Sequence, residues 1–304
     1  MAFLSFACPA KLNLFLRVIA RRSDGYHWLQ SAFRLIDYGD TLAIEVNASG
    51  RIKRHNPLPG IAPEDDLCVR AAHLLQQQTG CRYGATLRLE KRLPIGGGLG
   101  GGSSNAATTL MALNHLWDLN LSTRELQQLG LKLGADVPVF IFGRDAWAQG
   151  IGEILQPIQL PYCWYLVLVP PIQVSTAEIF GALDLTSHSE ASIISRFTPL
   201  SAEVGLSDVD PLLMGNDLQA VVCKRYPVVA TYLDYLNAYQ PAMMTGSGAC
   251  VFSAFNTQQQ ANTAMAQIAA KLPSGARAFV AKSLDKHPLL AADGLRSVVC
   301  SLSS

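Results

Sequence analysis

The sequence has almost no charge bias. Its 24 basic and 23 acidic residues leave a formal net charge of +1 over 304 residues, and charged side chains make up only 15% of the chain. Without a basic block or stripe to meet phosphate backbones or anionic lipid, neither nucleic acid nor a membrane surface is an expected partner. Long apolar runs are missing as well. "WYLVLVPPIQV" (Trp164 to Val174) is well short of the ~20 residues that a membrane span needs, and it holds two prolines. The opening "MAFLSFACPAKLNLFL" is apolar, but it has no basic start and is interrupted by Pro9, Lys11 and Asn13, so it reads poorly as a signal peptide. The 7 cysteines are scattered, odd in number and never in a C-x-x-C pair, which argues against a disulfide framework and against a zinc site. These absences point to a cytoplasmic setting.

What is present is apolar and patterned. Hydrophobic residues make up 49% of the chain, enough for a sizeable core and, at this length, for two domains. Strand-like alternation runs through "KLNLFLRV" (Lys11 to Val18), "TLAIEV" (Thr41 to Val46) and "ATLRLEKRL" (Ala85 to Leu93). Helical stripes occupy "DDLCVRAAHLLQQQ", with Leu67, Ala71, Leu74 and Leu75 on one face, and the stretch from Ala106 to Trp117. Ser122 and Glu125 make a capping-box signature ahead of another helix. Further on, two helices part near Pro227, and a strand, helix, strand order follows to "ARAFVAKS"; Thr186 to Pro211 reads as loops with a short helix. Strand pairs and helices alternate irregularly, so the expected fold class is α+β with mixed or antiparallel sheets, divided into 1–157 and 158–304.

Six of the seven residues from Gly96 to Gly102 are glycine, and they lead straight into a helical pattern. Glycine in an ordered element costs ~0.5–1 kcal/mol relative to alanine, so such a run needs a compensating purpose. The first turn of a helix has free N–H groups and a dipole that favours anions, and glycines let that backbone close around phosphate oxygens. The competing explanation, a hinge or tight helix–sheet packing, would need only one or two glycines. A G-x-x-x-x-G-K-[ST] loop is excluded because Ser103 follows Gly102. The formal G-x-G-x-x-G match at Gly96, Gly98 and Gly101 lacks the acidic residue of a dinucleotide fold.

"PIGGGLGGGSSNAA" (Pro94 to Ala107) resembles the phosphate loop of the GHMP kinase superfamily. "PAKLNLFL", "RRSDGYH", "GADVPVF", "STAEIF", "GNDL" and "TGSGACVF" are similar to that family in order and spacing, so the likeness covers essentially the whole chain. The resemblance implies a two-domain architecture with the active site in the cleft between domains. It further implies a soluble kinase, monomeric or weakly dimeric, that uses ATP with Mg2+ and a substrate carrying a cytidine diphosphate group.

Its implications for single residues follow. ATP would be held by Pro94, Gly96, Gly97, Gly98, Leu99, Gly100, Gly101, Gly102, Ser103 and Ser104. Phosphoryl transfer to an alcohol needs a group to take the hydroxyl proton, and a nearby cation can stabilise charge on the reacting oxygens. Asp136 is the implied base and Lys11 its orienting cation. On local pattern alone Asp136 reads equally as a helix-start carboxylate before Pro138, and Lys11 with Asn13 as a solvated strand face. Asn13, Tyr26, His27, Phe180, Thr176, Gly246 and Gly248 are the implied substrate contacts, Tyr26 and Phe180 stacking on cytosine and His27 reading its edge. Phe33 reads mainly as core. Cys250 has no adjacent base and is not expected to be a nucleophile. No dedicated metal cluster is visible; magnesium would arrive with ATP. Asp66 stands where the family usually has asparagine, which puts nucleotide affinity or base preference in question. A superfamily kinase for another small alcohol and a non-catalytic nucleotide-binding protein are the open alternatives.

Overall fold

The computed structural model describes residues 2–183 and 215–291; the expected loops and short helix at 186–211 lie outside them. Two long strands organise the first half. β1 (Leu4–Arg21) and β2 (His27–Asn47) pair antiparallel from Leu4 opposite Ile44 to Arg21 opposite His27. Their register slips at Pro9/Ala10, Asn13/Phe15 and Val18/Ala20. Bulges of this kind re-aim side chains, and the middle one follows Asn13 directly. β3 (Ile52–Arg54), β4 (Gly84–Glu90), β5 (Ala146–Gly150) and β6 (Ile154–Pro157) complete the sheet in the order β3-β4-β2-β5-β6, with β1 on β2. Only the β3·β4 pair is parallel. α1 (Leu67–Thr79), α2 (Gly101–Leu116), α3 (Thr123–Leu131) and α4 (Val137–Phe142) contribute Leu75, Leu110, Leu113, Leu126 and Phe140 to a core shared with Leu42 and Leu87 of the sheet.

The second half has a wholly antiparallel sheet in the order β10-β7-β9-β8, from β7 (Trp164–Val169), β8 (Ala242–Met244), β9 (Val251–Phe255) and β10 (Arg277–Lys282). α5 (Thr176–Gly181), α6 (Gln219–Arg225), α7 (Pro227–Asn237) and α8 (Gln258–Ala269) accompany it, with a separate core that includes Leu166, Val222, Tyr232 and Ile268. A third cluster of Leu12, Ile36, Leu99, Tyr165 and Phe252 welds the two halves. The fold is thus α+β with one mixed and one antiparallel sheet.

Two differences from the sequence reading matter. The helix expected from Ala106 starts five residues earlier: its cap is Gly100, in left-handed conformation at φ +70°, and Ser103 to Asn105 lie inside its first turns. Lys11 and Asn13 do not face solvent. Both are buried, at 3% and 2% exposure, because the glycine run, Asp136 and Phe33 close around Lys11 and the 245–246 turn closes over Asn13.

Two buried polar groups fix neighbouring segments. The Asp40 carboxylate, wholly shielded from solvent, accepts the backbone N–H of Arg92 (2.7 Å) and Leu93 (2.8 Å), Lys91 Nζ (2.5 Å) and Asn105 Nδ2 (3.0 Å). It therefore ties β2 to the entry of the glycine run and to α2. Removing one partner of a buried charge network costs ~3–5 kcal/mol. Asp40→Ala should lose stability of that order in urea unfolding, and a loss below about 1 kcal/mol would contradict this role.

His287, also buried, accepts Leu289 N–H at Nδ1 (3.2 Å), which leaves Nε2 to donate to Thr108 Oγ1 at 3.3 Å. Burial pushes this imidazole down to about 3. Since the folded chain refuses a proton that the unfolded chain accepts near pH 6.5, stability falls as pH drops from about 6.5 towards 3. Between pH 8 and pH 5 this group should withdraw ~2 kcal/mol. Urea unfolding at both pH values should show that loss in the native chain and a smaller one in His287→Gln; identical pH dependence would refute it.

Candidate active site

A cleft of about 1020 Å³ lies between the halves. At its centre is a buried ammonium group. Lys11 Nζ donates to Asn13 Oδ1 (2.5 Å), stands 3.3 Å from Asp136 Oδ2, and lies 5.2 Å over the Phe33 ring. Asn13 is held from three sides. Its Nδ2 donates to Ser31 Oγ (2.8 Å), which donates to Phe15 O (2.6 Å), and its backbone N–H donates to Thr245 Oγ1 (3.0 Å). The carboxamide oxygen is thereby turned towards Lys11. Asp136 caps α4 in sequence only: its side chain makes no capping hydrogen bond, is 37% exposed into the cleft, and reaches for Lys11.

The glycine run packs against this centre. Lys11 N–H donates to Leu99 O (3.1 Å), and a Cβ on Gly100 would stand 3.2 Å from Lys11 Cε. Gly96, Gly98 and Gly100 all have positive φ, from +68° to +77°, which only glycine adopts without strain. At Gly98 the approach of backbone is closest: a Cβ there would lie 2.1 Å from Thr245 O. Cys250 N–H donates to Gly97 O (3.2 Å), and Thr245 Oγ1 to Gly98 O (3.3 Å), so the 245–250 turn is the template on which the run is folded. That turn is held in its own right by Asn216, whose Nδ2 donates to Met244 O (2.8 Å) and Gly246 O (2.7 Å). The neighbouring Asp217 accepts Val18 N–H (2.8 Å) and pairs with Arg17 at 2.5 Å, fastening the segment to β1.

The remaining predicted residues divide. Pro94, Gly96 to Gly102 and Ser103 line the cleft, as do Asn13, Tyr26, His27, Thr176, Phe180 and Gly246. Ser104 does not: it is fully buried, with its Oγ unpartnered, because the earlier helix start turns it into the core. Gly248 is also away from the lining, its open side facing Met244 Sδ at 2.8 Å from a notional Cβ. Cys250 is buried beside the glycine run, and desolvation pushes its thiol up to about 12, well out of the range for a nucleophile. The His27 ring lies 5.0 Å from that of Phe180, tilted by 32°, and burial together with the Arg21 charge lowers its pKa, favouring the neutral imidazole. Tyr26 is 56% exposed at the mouth. Thr176 Oγ1 and Ser247 Oγ share a hydrogen bond at 2.7 Å, joining α5 to the 245–250 turn.

At the side of Gly102 and Leu67, Asp66 caps α1 through Cys68 N–H (2.8 Å) and faces Arg54 Nη1 at 3.4 Å. Both carboxylate oxygens are engaged, which resolves how aspartate is accommodated at this position. Ser31, Thr245, Asn216 and Asp40 escaped the sequence reading: each supports another group rather than bearing chemistry, and only Asn216 and Thr245 fell within quoted motifs.

Comparison with known proteins identifies the family. The family model described as "GHMP kinases N terminal domain" matches residues 66–144, and "GHMP kinases C terminal" matches 205–274. Curated relatives named 4-diphosphocytidyl-2-C-methyl-D-erythritol kinase include one from Aromatoleum aromaticum, 52% identical over 92% of this chain and 93% of its own length. Another, from Nitrosospira multiformis, is 52% identical over 95% of this chain and 94% of its own. A crystal structure of 4-(cytidine 5'-diphospho)-2C-methyl-D-erythritol kinase superposes with a TM-score of 0.75 at 30% identity, covering 92% of this chain and 99% of that one. A mevalonate kinase structure (TM-score 0.66, 14% identity) shares the fold.

Because a methyl at position 98 would collide with Thr245 O, Gly98→Ala must displace the glycine run or the facing turn. Turnover should fall about a hundredfold, a loss of ~2.7 kcal/mol in transition-state stabilisation, with the far-ultraviolet dichroism unchanged. Steady-state kinetics with turnover within threefold of the parent would refute the packing argument.

Proposed function

The chain belongs to the 4-diphosphocytidyl-2-C-methyl-D-erythritol kinase family of GHMP kinases, and from that membership we propose how its residues phosphorylate the 2-hydroxyl of that substrate with ATP in the non-mevalonate route to isoprenoid precursors. The observation that carries the mechanism is the 3.3 Å approach of Lys11 Nζ to Asp136 Oδ2 beside the glycine run. Asp136 takes the proton of the acceptor hydroxyl as it attacks. Lys11, fixed by Asn13, aims the carboxylate and faces the negative charge that builds on the reacting oxygens. The run from Gly96 to Gly102, with the first N–H groups of α2 and the Ser103 hydroxyl, holds the phosphate chain of ATP. Transfer is direct and in line, without a covalent enzyme intermediate.

His27 and Phe180 enclose the cytosine end, with Tyr26 folding over it from the mouth, and Thr176, Ser247 and Gly246 border the diphosphate between base and acceptor. Among the described residues no group of three or more His, Cys, Asp or Glu side chains is placed to cage an ion. Magnesium would enter with ATP and would supply charge neutralisation at the phosphates. The reading keeps the division at 157/158, a monomer or weak dimer, and a cytoplasmic setting; no described helix is long and apolar enough to cross a membrane.

Asp136→Asn keeps the shape and removes the proton acceptor. Its kcat should fall by about 10³ or more, within the range of lost general-base catalysis, while calorimetric affinity for ATP stays within about threefold. Retention of a tenth of the parental kcat would sink the assignment.

A further inference from the structure

A second cavity, of about 850 Å³, lies behind the wall of the cleft, between β3, α1 and the end of α3. Its lining is unlike the rest of this nearly neutral chain. Lys53, Arg54, Arg70 and Lys132 all border it, and Glu64 is the single acid among the lining residues. Lys53, Arg70 and Lys132 have no carboxylate within ion-pair distance among the described residues; Lys132 reaches only Gln78 Oε1, at 3.4 Å. Cations gathered at one concavity repel one another, though solvent moderates the repulsion, and an anion relieves it.

Arg54 makes the cavity more than a patch. Its side chain is only 9% exposed, and its partners among the described residues, Ile61 O (3.1 Å) and Asp66 Oδ2 (3.4 Å), are both met through Nη1. Nε and Nη2 are thus left without protein acceptors among the described residues, on a side chain that is nine-tenths buried overall but keeps these atoms open to solvent. A guanidinium edge with two free N–H groups matches two oxygens of one oxyanion, and a bidentate bond of that kind is stronger than a neutral hydrogen bond. The cavity has room for more than one such group.

We propose that this cavity is a second anion site, built for a compact diphosphate-type ligand that Arg54 grips by its free edge and that Lys53 and Arg70 neutralise. The same guanidinium touches Asp66 on the cleft side, so an anion here competes for the group that steadies the 58–66 segment of the cleft wall. That link rests on the kinase reading; anion binding does not.

The test is calorimetric titration of inorganic pyrophosphate into the full chain and into Lys53→Ala/Arg70→Ala, two exposed positions outside the catalytic machinery. The parent should take up pyrophosphate at two sites, one displaced by ADP and one not. The double variant should keep the ADP-sensitive site and bind at the other at least tenfold more weakly. Uptake at one site in both proteins, or an ADP-insensitive site of equal affinity in both, overturns the proposal. Loss of the ADP-sensitive site alone would instead count against the kinase reading and leave this one standing.

Discussion

An ammonium group taken out of water is the constraint around which this molecule is arranged. Lys11 is buried at 3% exposure, and a buried charge is tolerated only with partners close by. Those partners are the Asn13 carboxamide, the Asp136 carboxylate and the face of Phe33. Each is then fixed by something further away: Asn13 by Ser31 and Thr245, Asp136 by its place at the start of α4, Phe33 by the first core. It draws three elements into contact, and in the proposed reaction it faces the charge that builds on the attacking oxygen.

The glycine run is a surface shaped by its neighbours. The proposed phosphate binding accounts for a bare run, and contact with the 245–250 turn and other neighbours shows which glycines must be bare on which side. Gly98 faces Thr245, Gly100 faces the Phe140 ring and Lys11, and Gly97 faces Pro94 and Cys250. Asp40 anchors the entry of the run, and Asn216 anchors the turn that it packs against. A loop with so little side-chain identity is thus given a single conformation by polar groups placed outside it.

Much of this was legible beforehand, for physical reasons that differ from residue to residue. Strand alternation, the capping box at Ser122 and the break at Pro227 are local, so short-range pattern was enough. The glycine run stood out because six glycines in seven positions at the mouth of a helix are more than a hinge needs. Lys11 and Asn13 were ambiguous, since alternation says which face of a strand a residue occupies but not whether loops from distant segments close over it. The start of α2 was misplaced because glycines carry no helical stripe; only the left-handed Gly100 marks the cap. Ser104 followed that error into the core. Asp40 and Ser31 were invisible, since a carboxylate or hydroxyl whose task is to accept N–H groups from distant segments looks in sequence like any polar residue on a strand.

The seam between Gly98 and Thr245 has a further consequence. These two positions come from opposite halves of the chain, separated by 147 residues, and meet as backbone against backbone. Neither half holds the glycine run in shape alone, since the first supplies its backbone and the second the turn it packs against. The conformation of the run is therefore a property of the two halves together.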